Sequence, residues 1–176
     1  TLTGSSITAN LFNEYGIQSS SITTGTSYGS GEAVTGMSYT SNDYNAYGTV
    51  TAQDSWGYSQ NTIGAAPAVT SAWKMVAGAF DVYGTLTSST VDSNSGKGHA
   101  AISDVAEMTF LPGDFTTLTG YSTTANLFDE YGIQSSSITT GTSYGSGEAV
   151  TGMSYTSNDY NAYGTVTAQD SWGYSQ

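Results

Sequence analysis

Val69-Thr70-Ser71-Ala72-Trp73-Lys74-Met75-Val76-Ala77 carries the clearest strand alternation in the sequence. In an extended chain Val69, Trp73, Met75 and Ala77 fall on one side and Thr70, Ala72 and Lys74 on the other. Alternation of this period, in a segment with β-branched and aromatic residues, predicts a half-buried strand. It is expected to be the best-packed strand of the chain. Moving outward, residues 79–87 repeat the pattern, with Phe80, Val82, Gly84 and Leu86 on one face and Asp81, Tyr83, Thr85 and Thr87 on the other. The same logic predicts strands over residues 17–27, 33–40, 44–53, 99–110 and 115–123. Turns are expected at residues 28–31, 41–43, 92–98 and 111–114, where Gly, Asn, Asp, Ser and Pro112 supply the required backbone conformations. Strands of this length separated by such turns predict an all-β chain, an antiparallel β-sandwich or barrel-like repeat domain. One exception is expected at residues 8–16, where Leu11, Phe12 and Tyr15 have helical spacing and Gly16 could close a short helix.

The largest regularity is a repeat. Residues 1–60 return as residues 117–176, differing only at Ser5/Tyr121, Ile7/Thr123 and Asn13/Asp129. An offset of 116 is too long for a solenoid coil and matches one ordinary small domain. The chain is therefore expected to hold one full unit, 1–116, and the first half of a second, 117–176, with 61–176 an alternative frame. The three differences are compatible with an exposed face.

Composition narrows the class further. The chain has 27 Ser, 28 Thr, 22 Gly and 14 Tyr, but only 27 residues of Leu, Ile, Val and Phe, so its aromatics must replace much of the missing aliphatic core. Faces of Ser, Thr and Gly bury little area, lie flat and specify register weakly, which favours sheet-to-sheet or edge-to-edge assembly. With no cysteine, neither a disulfide framework nor a thiolate metal site can form. Lys74 and Lys97 are the only Lys or Arg residues against 14 acids, a net charge of -12 that would repel nucleic acid. No run of apolar residues is long enough to span a bilayer, so membrane insertion of this segment is not expected. Nothing at Thr1 resembles a signal peptide, which fits an internal stretch of a longer protein.

Candidate chemistry is sparse. His99 is the one histidine and no Gly-x-Ser-x-Gly elbow accompanies it, so a nucleophilic triad is not expected. Asp104 with Glu107, and Glu14 or Asp43, are the acids available for a glycosidase pair, and none has a distinguishing context. Gly96-Lys97 lacks the other elements of a phosphate loop. Calcium is the ligand with the best claim: Asp92-Ser93-Asn94-Ser95-Gly96 starts like an oxygen-ligand loop, making Asp92 and Asn94 the candidate ligands. Gly96 then stands where a third ligand belongs and Lys97 adds a repelling charge. Tyr15, Tyr28, Tyr39, Tyr44, Tyr47, Trp56, Tyr58, Trp73 and Tyr83 offer aromatic faces on which a sugar could stack, though cross-strand packing is the commoner use.

Long near-identical units, Thr/Ser/Gly/Tyr-rich strands, no cysteine and almost no basic residues together resemble the repeat regions of giant microbial surface proteins, of the adhesin-stalk or the sheath and surface-layer type. That resemblance implies an extracellular, non-catalytic, structural role with neighbouring repeats or chains as partners and no required cofactor; membership of the adhesin type alone would imply calcium within or between repeats. The alternatives are a carbohydrate- or cell-surface-binding adhesin module and, more remotely, a glycoside hydrolase.

Overall fold

The computed structural model describes residues 2–62, 67–99, 102, 105–107 and 114–176. Ten strands make one sheet: β1 (Gly4–Phe12), β2 (Gln18–Tyr28), β3 (Val34–Tyr44), β4 (Val50–Asn61), β5 (Ala68–Phe80), β6 (Leu86–Lys97), β7 (Thr117–Phe128), β8 (Gln134–Tyr144), β9 (Val150–Tyr160) and β10 (Val166–Ser175). Each strand pairs antiparallel with the next in the chain, so spatial order equals sequence order from β1 to β10. The all-β antiparallel class is thus established, in the form of a single meander. Among the described residues no second sheet packs on it, and β1 and β10 carry no further strand.

The two copies of the repeat build the same structure. Gly4 faces Ser27 as Gly120 faces Ser143, Ser20 faces Asp43 as Ser136 faces Asp159, and Gly36 faces Ser59 as Gly152 faces Ser175. Residues 1–116 contain β1–β6, residues 117–176 contain β7–β10, and the β6–β7 ladder crosses the boundary without a break.

A sheet this poor in aliphatics is held across its strands. Directly opposed residues share a face, and small hydroxyls there reach one another. Thr8 and Thr23 Oγ1 atoms lie 2.9 Å apart, as do Thr40 Oγ1 and Ser55 Oγ; the second copy repeats the contacts at Thr124/Thr139 and Thr156/Ser171. Amides join the same face: Asn42 Nδ2 donates to Ser21 Oγ, and Gln53 Nε2 donates to Asn42 Oδ1. The opposite face carries the core. Tyr58, Val69, Ala72, Val105 and Phe115 are buried together, with Met37, Tyr39, Trp56, Ile102 and Leu118 packed around them. A bulge at Thr70, between the pairs Ser59/Ser71 and Gln60/Val69, puts Val69 on the face of Ala72. Strict alternation places these two residues on opposite sides; the one-residue insertion reverses the phase.

Several expected elements differ. Residues 8–16 form no helix: β1 runs to Phe12 and a tight turn follows. Apolar residues at positions 11, 12 and 15 mimic a helical stripe because a strand end and a turn are adjoining. The expected strands over 79–87 and 44–53 are each interrupted by a turn, and the expected turns at 41–43 and 92–98 lie largely within β3 and β6. Of the expected strand over 99–110, only the short 3-10 turn Val105–Glu107 and residues 99, 102 are described. Asp104 and Pro112 lie outside the described residues.

Candidate functional site

Five hairpins point their turns to the same rim of the sheet, and all five share one pattern, aromatic-Asn/Asp-x-Tyr-Gly. Phe12-Asn13-Glu14-Tyr15-Gly16, Tyr44-Asn45-Ala46-Tyr47-Gly48 and Phe80-Asp81-Val82-Tyr83-Gly84 join β1 to β2, β3 to β4 and β5 to β6. Phe128 to Gly132 and Tyr160 to Gly164 repeat the first two in the second copy. In each, the Asn or Asp side chain accepts from two backbone amides: Asn45 Oδ1 from Tyr47 N at 2.9 Å and Thr49 N at 3.0 Å, Asp81 Oδ1 from Tyr83 N at 2.8 Å and Thr85 N at 2.9 Å. Such a side-chain turn suits Asn and Asp, whose short side chains mimic the backbone. The glycine takes positive φ in every one.

The tips also touch in series. A β-carbon at Gly48 would lie 3.4 Å from Ile17 Cγ2, one at Gly84 2.7 Å from Thr49 Cγ2, one at Gly132 3.2 Å from Thr85 Cγ2, and one at Gly164 3.6 Å from Ile133 Cγ2. Each glycine thus admits the residue that follows the glycine of the preceding tip, and the series runs unbroken across the repeat boundary. Its outward product is a row of five tyrosines, Tyr15, Tyr47, Tyr83, Tyr131 and Tyr163, all at least 77% exposed. Within each pair of adjacent hairpins they stand two strands apart, about 9–10 Å at normal strand spacing.

The second feature is an aromatic cluster present twice in different states. In the first copy Tyr39 stacks on Trp56 with centroids 4.3 Å apart, the Lys74 ammonium sits 5.7 Å from the Trp56 ring, and Trp56 Nε1 donates to the Val105 carbonyl at 2.6 Å. Tyr58 beside them is 5% exposed, and its burial pushes the phenol above the ordinary tyrosine range. In the second copy Tyr155 stacks on Trp172 at 5.2 Å, but Trp172 is 63% and Tyr174 47% exposed. Identical residues therefore line a core in the middle of the sheet and a bare surface at its β10 end.

The residues singled out from sequence are distributed without forming a reaction centre. Asp92 and Asn94 stand two apart on one face of strand β6, not in a loop, which removes the loop geometry that suggested calcium. Asp92 receives the Thr123 hydroxyl at 2.7 Å, while the Asn94 amide is buried with neither its Oδ1 nor its Nδ2 hydrogen bonded. No group of three or more His, Asp or Glu side chains converges among the described residues. His99 packs edge-on against Phe115, centroids 4.7 Å apart. Glu14 sits in a rim turn and Asp43 in β3; Glu107 ends the 3-10 turn. No described helix is long and apolar enough to cross a membrane. What sequence reasoning missed is the rim itself. The signal was the recurring aromatic-Asn/Asp-x-Tyr-Gly, whose irregular spacing is hidden beneath the 116-residue identity.

No family model, curated protein or solved structure matches the chain.

Proposed function

We propose that this chain is a non-catalytic structural repeat of an extracellular or cell-surface protein, in which each 116-residue unit extends one continuous antiparallel sheet by six strands. The observation that carries this reading is the unchanged register of the two copies together with the unbroken β6–β7 ladder. At normal strand spacing a unit lengthens the ribbon by about 29 Å, and its strands make it about 30–40 Å wide. The hydrogen bonds run along the ribbon, so tension between its ends would open one strand pair at a time. A covering or self-assembling fibre or sheath subunit therefore fits this geometry better than a load-bearing stalk. A net charge of -12 keeps such ribbons soluble until specific contacts join them.

Small-angle scattering on chains of one and a half, two and a half and three and a half units tests this. The longest dimension should grow by about 29 Å per added unit, and filaments or sheets should appear by electron microscopy at high concentration. Dimensions growing as separate flexibly linked globules would sink the reading.

A second reading, carbohydrate binding, is favoured by the tyrosine row. Exposed aromatic rings at a step of about 9–10 Å, on the order of a disaccharide's length, could stack along an extended polysaccharide. Co-sedimentation with insoluble cellulose and chitin tests it, against a variant with Ala at Tyr15, Tyr47, Tyr83, Tyr131 and Tyr163. No binding, or equal binding by both proteins, would dismiss it.

A further inference from the structure

We infer that the β9–β10 end of the sheet is one half of a docking interface whose occupant is the counterpart of β5, with those of Val105 and Phe115, from a further copy of the repeat joined in tandem. The inference rests on the proposed role as a sheet-extending repeat and names the surface by which extension occurs.

Both faces of the β10 edge carry an unfilled counterpart of a filled seat. On the core face, Met37, Tyr39, Trp56 and Tyr58 are covered by Val69 and Ala72 of β5 and by Val105 and Phe115 of the stretch after β6. Their equivalents Met153, Tyr155, Trp172 and Tyr174 hold the same arrangement, with Met153 46% exposed and Trp172 and Tyr174 bare as described. On the opposite face, the Trp73 ring lies across Gly57, where an added β-carbon would stand 3.0 Å from its Cε2 and Cζ2. At Gly173, the equivalent glycine, the three atoms nearest to such a β-carbon belong to Met153 and Ser154 of the adjacent strand, with no aromatic ring among them. Grooves mark both places: one is lined by Ser27, Met37, Tyr58 and Trp73 among others, the other by Ser143, Met153, Tyr174 and Gly173.

A generic hydrophobic partner would have to match an aromatic patch, a glycine-floored groove and a row of open backbone groups between them. β5 and Val105 match all three in the first copy, through the β4–β5 ladder, the Trp73 ring and the Val105 carbonyl. Tandem linkage is the favoured source because β5 follows β4 after a short connection, which delivers the occupant at high effective concentration. In an intact separate molecule the same residues are already engaged on their own β4.

The absence of cysteine makes a single introduced thiol a clean reporter. Met153→Cys is placed in the 176-residue chain and in a chain extended after Gln176 by a second copy of residues 61–116, with Met37→Cys in the 176-residue chain as the covered reference. The thiol at 153 should label rapidly with a disulfide reagent in the shorter chain and at least about tenfold more slowly in the longer one, approaching the reference. Replacing the second Trp73 equivalent by Ala should restore part of the labelling. Equal rates in the two chains, with strand content by circular dichroism rising in the longer one, would overturn this docking while leaving the repeat-sheet reading intact. Equal rates with no added strand content would overturn both. A thiol at 153 that becomes protected in the 176-residue chain as its concentration rises would overturn the tandem source in favour of exchange between molecules.

Discussion

Thr123 Oγ1 donates to Asp92 Oδ1 at 2.7 Å across the seam between β6 and β7, and the Tyr121 hydroxyl lies 2.9 Å from the same Thr123 oxygen. In the first copy these two positions are Ser5 and Ile7, on a strand with no partner on that side among the described residues, and Ile7 is 74% exposed. Two of the three differences between the copies thus fall where one unit meets the next. In the second copy both are half-buried at the seam, whereas in the first both lie on the exposed strand β1.

Thr123→Ile, which installs the residue found at position 7, should therefore weaken the seam. Asp92 loses a hydrogen bond made to a charged group, a change worth about 1–3 kcal/mol. The reciprocal Ile7→Thr touches no seam and should stay within about 0.5 kcal/mol. Urea denaturation of the two variants checks this; equal effects would mean that the Thr123 contact carries no stability.

Much of the architecture was legible because strand alternation and turn chemistry are local. Val69 to Ala77 announces β5, and the 116-residue identity announces that two stretches must fold alike. What escaped were features in which neighbours override local preference. Asn42 and Asp43 look like a turn, yet they lie in β3, where the Asn42 amide is satisfied by Ser21 and Gln53 on the two flanking strands. Asp92 to Gly96 looks like a ligand loop, yet pairing on both sides holds it extended. The bulge at Thr70 depends on which β4 residue stands opposite, information that the β5 sequence alone does not contain. The uncovered patch at Trp172 was beyond reach for the same reason: an identical sequence is core or surface according to what lies on it.

Asn94 is 1% exposed and both polar atoms of its side chain lack partners. An unsatisfied buried amide costs about 1–3 kcal/mol, whereas an apolar group of the same shape does not. Asn94→Leu should then raise stability by about 1–2 kcal/mol, seen as a higher urea midpoint at unchanged slope. A lower midpoint would show that the amide is engaged in solution.

Burial raises the Tyr58 phenol above its ordinary value. The unfolded chain releases that proton near pH 10 or so, while the folded chain still holds it. The neutral phenol's contribution is therefore complete below about pH 10 and is lost as pH rises toward the folded value. Between about pH 9 and 11 the wild type should lose stability more steeply than Tyr58→Phe, which keeps the ring and removes the proton. Parallel pH profiles in urea titrations would count against a buried phenol at this position.

Gly16 and Gly84 occupy equivalent rim turns with φ of +75° and +83°, but only Gly84 is crowded. A β-carbon at Gly16 would meet nothing within 4 Å, whereas one at Gly84 would lie 2.7 Å from Thr49 Cγ2 and 3.1 Å from the Val50 amide nitrogen. Alanine at Gly16 bears only the left-handed backbone penalty, about 1–2 kcal/mol. Alanine at Gly84 bears that penalty and must also push apart two hairpin tips, adding about 1–3 kcal/mol of overpacking. The difference isolates the tip-to-tip contact from the turn conformation, because the turn is the same in both. Thr49→Ser in the Gly84→Ala background removes the methyl in the way and should recover part of the excess, while leaving Gly16→Ala unchanged. Equal destabilisation by the two alanines in thermal and urea unfolding would mean that neighbouring hairpins do not bear on one another, and that the ordered rim is held by each turn alone.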